Sequence, residues 1–596
     1  MRRYCGQMSD LCPGLRMFAC DFSAHDLRRL AGPMKDARGG AAQSSVVTES
    51  SVSRAISQLD QRPARCRSAA IGELGWALRK SKPRVAANIR VERVMNKTLN
   101  RLTFACVFGL LGGLAAASPR AESDIMSQPY AEAYSAVPLG PAGQPRTHSA
   151  RHHHYKLIDL STLGGPHSYG SPNGEGFSLL NDSGLVAASA DMASADPNAA
   201  FGCYNSDCFQ SHAARWKDGV IADLGALPGN NNSAVGAINA RGWATGQSQT
   251  SIIDPVVGIP EFRAVFWKDG QIIDLGTLEA GTESLGIYLT DGGQVIGFST
   301  INSEPDSLGF FVGFPTHTFI WENGSKLDIG TLGGADALPG AGCSHAPEGM
   351  VVGGSTTTTV SNSDTGLPTF APFLWYGGRM INLGTLGGTF GTAQCVNRHG
   401  QVIGVSSLAA NPAACAPVVF SADVAGPGCH AFFWEDGVMR DLGTLGGETS
   451  EAIWLNDAGD VVGFADLPGS QTHHAVLWTK GHARDLGTVP GDPCSHGESL
   501  NANGQVVGAS TDCSNFLHAF LWEDGGPMAD LNTLIPAGSG IQLTNAFNIN
   551  DRGEILARAA PLGFTPNDDH DLGHLALLIP CDGSHPNVDD CDYSEP

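Results

Sequence analysis

Between residues 155 and 580 short apolar runs alternate with Gly-bearing polar turns, and the same order of runs returns along the chain. Each run is about four to seven residues long, rich in Val, Ile, Phe and Leu, which predicts strands rather than helices. The copy at 441–478 reads DLGTLGG, SEAIWLN, DVVGFA and HAVLW in turn. Between the second and third parts stands a turn ending in Gly, as in NDSG at Asn181, NARG at Asn239, TDGG at Thr290, NRHG at Asn397, NDAG at Asn456, NANG at Asn501 and NDRG at Asn550. Asn and Asp tolerate left-handed backbone and Gly takes positive φ freely, so the flanking runs are antiparallel neighbours. A second hairpin follows the Trp of each copy, as in WKDG at Trp216 and Trp267, WENG at Trp321, and WEDG at Trp434 and Trp522. The unit is therefore a four-stranded antiparallel meander.

The repeat recurs at Trp216, Trp267, Trp321, Trp375, Trp434, Trp478 and Trp522, about 45 to 60 residues apart, the range of propeller or solenoid units. One small sheet cannot bury its own faces and gains stability by stacking on its neighbours. The DLG-type motif begins at Asp159, Asp223, Asp274, Asp328, Asn382, Asp441, Asp485 and Asp530, which predicts eight blades, ahead of seven or an open solenoid. The first motif lacks a preceding HAFLW-type strand, and the last such strand, HLALLI at His574, lacks a following DLG. The expected fold is an all-β propeller of about eight four-stranded blades, its ring closed by the N-terminal strand pairing with the last blade.

Composition divides the 596-residue chain further. Residues 1–94 carry about twice as many Arg and Lys as acidic residues and no repeat, as expected of a disordered basic segment preceding a mis-assigned start. Residues 95–117 have the layout of a secretory signal peptide: Met95, basic Lys97 and Arg101, an apolar core from Leu102 to Leu114, and Ala115 to Ala117 as the cleavage site. A basic cytoplasmic extension ahead of an uncleaved anchor is the alternative. Residues 118–154 read as a linker, 155–580 as the propeller and 581–596 as an acidic, disulfide-bearing tail. Beyond Ala117 acidic residues outnumber Lys and Arg by about three to one. Without a basic stripe, nucleic acid is excluded as a partner. The mature chain is expected to be secreted, periplasmic or extracellular, monomeric, and without a membrane span.

Ten cysteines follow the leader, an even set matching an oxidising compartment. The pairs expected are Cys203 with Cys208, Cys415 with Cys429, Cys494 with Cys513, and Cys581 with Cys591, leaving Cys343 and Cys395 to bridge adjacent blades. Zinc is the rival reading, but no CxxC occurs. A His tract at His152 to His154 and the carboxylates Asp589, Asp590 and Asp592 read as solvated linker and tail, so no metal or cofactor is expected.

Catalytic signatures such as GxSxG, HExxH and the P-loop are absent. The recurrent Asp of DLG and His of HAF resemble an acid and a base, yet a feature repeated in each blade serves the ring. They are read as hydrogen bonds between strands or to turns, and the Trp series as packing between blades. Function belongs to what differs between copies, chiefly the loops 191–212, 248–263, 299–316, 355–372 and 406–430, against the short 466–473. Glu451, His496 and Glu498 depart from the repeat where an inner strand begins and are candidates to line a central channel.

The wording HAFLWxDGxxxDLGTLGG followed by SxAxxINxxGxVVGxS resembles the HAF-repeat family of bacterial extracellular proteins, named for the residues that stand here at His430 and His518. FRAVFW at Phe262 and THTFIW at Thr316 depart from it. The resemblance implies a secreted or surface repeat protein with no activity or functional residue to carry over. The expected function is non-enzymatic binding of a glycan, polymer or protein through the loop-bearing face. The alternative is a carbohydrate-active hydrolase or lyase with carboxylates at the channel.

Overall fold

The computed structural model describes residues 153–591, with interruptions of which the longest are 304–313, 416–427 and 564–572. The expectations for 1–94, 95–117 and most of the linker lie outside the described residues. The described elements are strands together with two short 3₁₀ turns, Ala199–Phe201 and Leu531–Thr533.

The strands form eight four-stranded antiparallel meanders, at 164–223, 233–276, 284–328, 337–382, 387–441, 450–485, 494–530 and 541–580. The last contains three consecutive strands, and its fourth is Tyr155–Asp159, paired antiparallel with His574–Pro580 from Tyr155 opposite Pro580 to Asp159 opposite Ala576. The protein is a β-propeller of eight blades whose final sheet is built from both ends of the repeat region. Blades 4 and 5 are joined by a single parallel bridge between Phe370 and Phe390, whose rings stack 5.3 Å apart.

The third strand of each blade is apolar on both faces because it lies between two neighbouring sheets. Ala431 and Phe432, Ala475 and Val476, and Ala519 and Phe520 are successive residues and all fully buried. Such a strand reads as an unbroken apolar run instead of an alternating one.

First strands of blades 2 and 3, and of blades 5 to 8 in turn, pack against one another, and most first strands carry a β-bulge, for example between Gly286 and Tyr288, Ala452 and Trp454, and Gly497 and Ser499. The bulge carries the strand's carbonyls towards its partner. A Cβ at Gly463 would stand 1.9 Å from the Glu451 carbonyl oxygen, and one at Gly508 2.0 Å from that of His496. This close approach explains the recurrent Gly of the VVG motif.

Candidate functional site

The recurrent polar residues are used in holding the ring. In NxxG turns the Asn side-chain oxygen accepts from its own turn, as Asn501 does from Asn503 and Gln505. Its Nδ2 then crosses to the next blade. Asn181 donates to the Asn239 carbonyl at 2.9 Å, Asn239 to Thr290 at 3.0 Å, Asn397 to Asn456 at 3.1 Å, and Asn456 to Asn501 at 3.3 Å. Asn501 donates to Asn550 at 2.9 Å and Asn550 to Asn181 at 3.0 Å. Between blades 3 and 4, where the Asn is missing, the Gly292 amide donates to Glu348 and the Gly349 amide to Gln294.

In four blades the His of the HAF strand pairs with the Asp of DLG, whereas His518 turns to Asp492 instead. His212 with Asp223, His317 with Asp328, His430 with Asp441 and His474 with Asp485 all meet through Nδ1 at 2.8–3.0 Å. The same carboxylates cap the following turn, as Asp441 does by accepting from the Gly443 amide. Trp indoles reach back one blade: Trp267 Nε1 donates to the Gly225 carbonyl and Trp478 Nε1 to that of Leu442. Ser450 and Ser495 hydroxyls accept from the Ala431 and Ala475 amides of the preceding blade.

What remains for function stands on the face where second and third strands join. There the hairpins Val186–Ala195 with Phe209–Lys217, Ala244–Ile253 with Pro260–Lys268, and Met350–Ser361 with Pro368–Tyr376 run beyond their neighbours. Their outer parts expose Phe201, Ile252, Val256 and Val360.

Two side-chain clusters on this face fall outside the repeat. In blade 1 the Tyr169 hydroxyl lies 2.8 Å from Asp191 Oδ2 and 2.8 Å from Asp207 Oδ2, and the His167 amide donates to the same Asp191 oxygen. Asp191 is completely buried, and its Oδ1 has no hydrogen-bond partner. Burial first, then the Asp207 carboxyl beside it, push the Asp191 carboxyl up to about 8. One hydroxyl proton cannot serve two carboxylate acceptors at once, so the geometry requires a proton on this carboxyl pair. The loop that carries Asp207 is tied down further, since Asp196 accepts from the Tyr204 amide and from Asn232 of blade 2.

The second cluster lies between blades 6 and 7. His473 Nε2 and His496 Nε2 are 2.6 Å apart. Phe464 stacks on His496 at 4.7 Å, and Phe516 meets it edge-on at 6.1 Å. Burial, and then His473, pull the His496 imidazole down to about 3, and burial lowers His473 as well.

The three inner-strand candidates separate. His496 turns to His473, Glu498 is the buried bulge residue of its strand, and Glu451 is half-buried opposite Phe464. The unread members are His473, Tyr169, Asp191 and Asp207. His473 had a signal: THHAVLW carries two adjacent His where the repeat has one.

The cysteines are joined as Cys203–Cys208, Cys343–Cys395, Cys415–Cys429, Cys494–Cys513 and Cys581–Cys591, with Cα separations of 5.0, 5.4, 5.4, 5.1 and 5.3 Å. Cys343–Cys395 links blades 4 and 5. Among the described residues no group of three or more His, Cys, Asp or Glu converges as a metal site, and no helix is long and apolar enough to cross a membrane.

No protein-family model matches the chain, and no curated protein matches it. Among solved structures it is similar to the β-propeller domain of the trilobed protease from Pyrococcus furiosus, at 10% identity over 63% of this chain and 98% of that one, with a TM-score of 0.34. It is also similar to Pyrococcus horikoshii acylaminoacyl peptidase, at 12% identity over 68% of this chain, with a TM-score of 0.31, and it spans 58% of that peptidase. TolB from Acinetobacter baumannii aligns at 11% identity over 59% of this chain and 78% of its own, with a TM-score of 0.27. No residue or activity is carried over from any of them.

Proposed function

We propose that this chain is an exported HAF-repeat propeller that works by binding, holding a glycan, polymer or protein on the face of the lengthened hairpins. The observation that carries the reading is the division of labour among its polar groups. The recurrent His, Asp, Asn, Trp and Ser act in strand and blade contacts, while the unrepeated polar clusters and the lengthened hairpins, with Phe201, Ile252, Val256 and Val360 exposed, share one face. Rigid strands beneath variable loops are the usual arrangement of a recognition surface. Five disulfides support export through the 95–117 leader to an oxidising compartment.

The alternative of a hydrolase or lyase has one observation in its favour, the adjacent carboxyls of Asp191 and Asp207. Against it, Asp191 is fully buried and its Oδ2 already accepts from Tyr169 and the His167 amide. The protein collected after export is to be applied to a glycan array and to a panel of polysaccharides. Retention of one ligand class without release of product is expected. Product release that disappears in Asp207→Asn would replace the binding reading with the catalytic one.

A further inference from the structure

Blades 6 and 7 meet over a pair of imidazoles that the ring does not need. His474 already fills the repeat's His position by pairing with Asp485, which leaves His473 as an additional ring on the same strand. His496 comes from the first strand of blade 7. Their Nε2 atoms approach to 2.6 Å between the rings of Phe464 and Phe516, and His496 Nδ1 is buried without a hydrogen-bond partner. Two neutral imidazoles can share one Nε2 proton, but nothing about blade packing requires polar nitrogens to converge between two phenyl rings.

We propose that the facing imidazoles of His473 and His496 form a transition-metal site at the seam of blades 6 and 7, taking Zn²⁺ or Cu²⁺ through their Nε2 atoms. Metal–imidazole bonds of about 2.0–2.1 Å in tetrahedral geometry set the two nitrogens about 3.3 Å apart, so the rings must part by about 0.7 Å. The two side chains stand on strands that pack against each other across the seam, so the parting falls on side-chain rotation within it. With no third His, Cys, Asp or Glu closing on them among the described residues, the remaining positions fall to water or to donor atoms of a ligand. Asp466 stands opposite His473 in the strand register, where it can orient a metal-bound water. Imidazole donors select Zn²⁺, Cu²⁺ or Ni²⁺ over Ca²⁺ and Mg²⁺. The site does not depend on which ligand the loop-bearing face recognises.

The test uses the full chain with His152, His153 and His154 changed to Ala, so that the linker tract contributes nothing. Titration calorimetry with Zn²⁺ and with Cu²⁺ is expected to show one equivalent of each, tighter for Cu²⁺, and at least tenfold weaker in His473→Gln and in His496→Gln. The Cu²⁺ complex is expected to show nitrogen hyperfine coupling from two imidazoles by electron paramagnetic resonance, a readout that needs no variant to fold. Failure to take up either metal would overturn the proposal. So would a spectrum without imidazole coupling, or an undiminished equivalent in the folded double variant.

Discussion

His574 Nδ1 lies 2.9 Å from Asp159 Oδ1, although 415 positions separate the two residues. It is the His–Asp pair of blades 1, 3, 5 and 6, assembled from opposite ends of the repeat region. The hydrogen bond to Asp159 holds His574 above its ordinary value of 6.5, and the bond to His574 holds Asp159 below 3.8. A His whose folded value is raised contributes stability that is fully present below 6.5 and is lost as pH rises from there through the higher folded value. An Asp whose folded value is lowered contributes stability present above 3.8 and lost as pH falls. The contact is therefore strongest between about pH 4 and 6.5. His574→Gln should lower the melting temperature more at pH 5.5 than at pH 9, as thermal unfolding at the two pH values will show.

The two kinds of recurrent glycine should respond differently to a methyl group. At Gly463 the added carbon meets the Glu451 carbonyl oxygen at 1.9 Å, a backbone atom that cannot step aside. Gly437 ends a two-residue turn at φ 84°, with nothing within 4 Å of an added Cβ. Gly463→Ala should cost about 3 kcal/mol or more through overpacking. Gly437→Ala should cost about 1–2 kcal/mol through left-handed strain. Urea unfolding of the two variants measures the difference, and equal costs would mean that the bulge does not set the Gly.

Asn501→Ala removes an acceptor for two amides of its own turn and the donor to Asn550 of the next blade. The buried groups left behind should cost about 1–3 kcal/mol. Ala substituted at the exposed Asn503 loses a single bond to the Asp551 carbonyl and serves as the comparison. A smaller loss at 501 than at 503, in denaturant midpoint, would remove the Asn chain from the account of stability.

These two predictions mark what could and could not be read from residue order. The NxxG turns were readable as hairpins because Asn and Gly have a local backbone reason to be there. The crossing bond from Asn501 was not, since its acceptor is the carbonyl of Asn550, a group every residue possesses. Blade number and the shared last sheet follow from counting DLG and HAF strands, a property of the pattern itself. The pairing of Tyr169 with Asp191 and Asp207 depends on how an unrepeated loop folds back, and no periodicity encodes that. His473 stands out as a doubled His and His496 as a departure from the repeat, but that the two meet follows from how blades 6 and 7 pack, which neither residue alone encodes.

Asp191 carries a pH effect of opposite sense to that of Asp159. Its folded value, about 8, lies above the ordinary 3.8, so the folded chain keeps a proton that the unfolded chain gives up. The stabilisation is complete below about pH 4 and is lost as pH rises to about 8. Asn at this position stays neutral at every pH while keeping an oxygen for the His167 amide. Asp191→Asn should therefore gain stability relative to the parent at pH 8 and show no such gain at pH 4. A stability difference that does not change with pH in thermal unfolding would show that Asp191 is charged in the native protein.

Not every seam of the ring is made alike. Most are closed by a side-chain amide and by apolar packing, whereas blades 4 and 5 share a strand bridge at Phe370 and Phe390 and a covalent link through Cys343 and Cys395. Tyr155–Asp159 is held to its neighbour by noncovalent contacts, so loss of that strand would open the circle at the last blade and leave the link between blades 4 and 5 intact. A molecule so built has a front latch and a back hinge, and can be unfastened at one place without coming apart at the other.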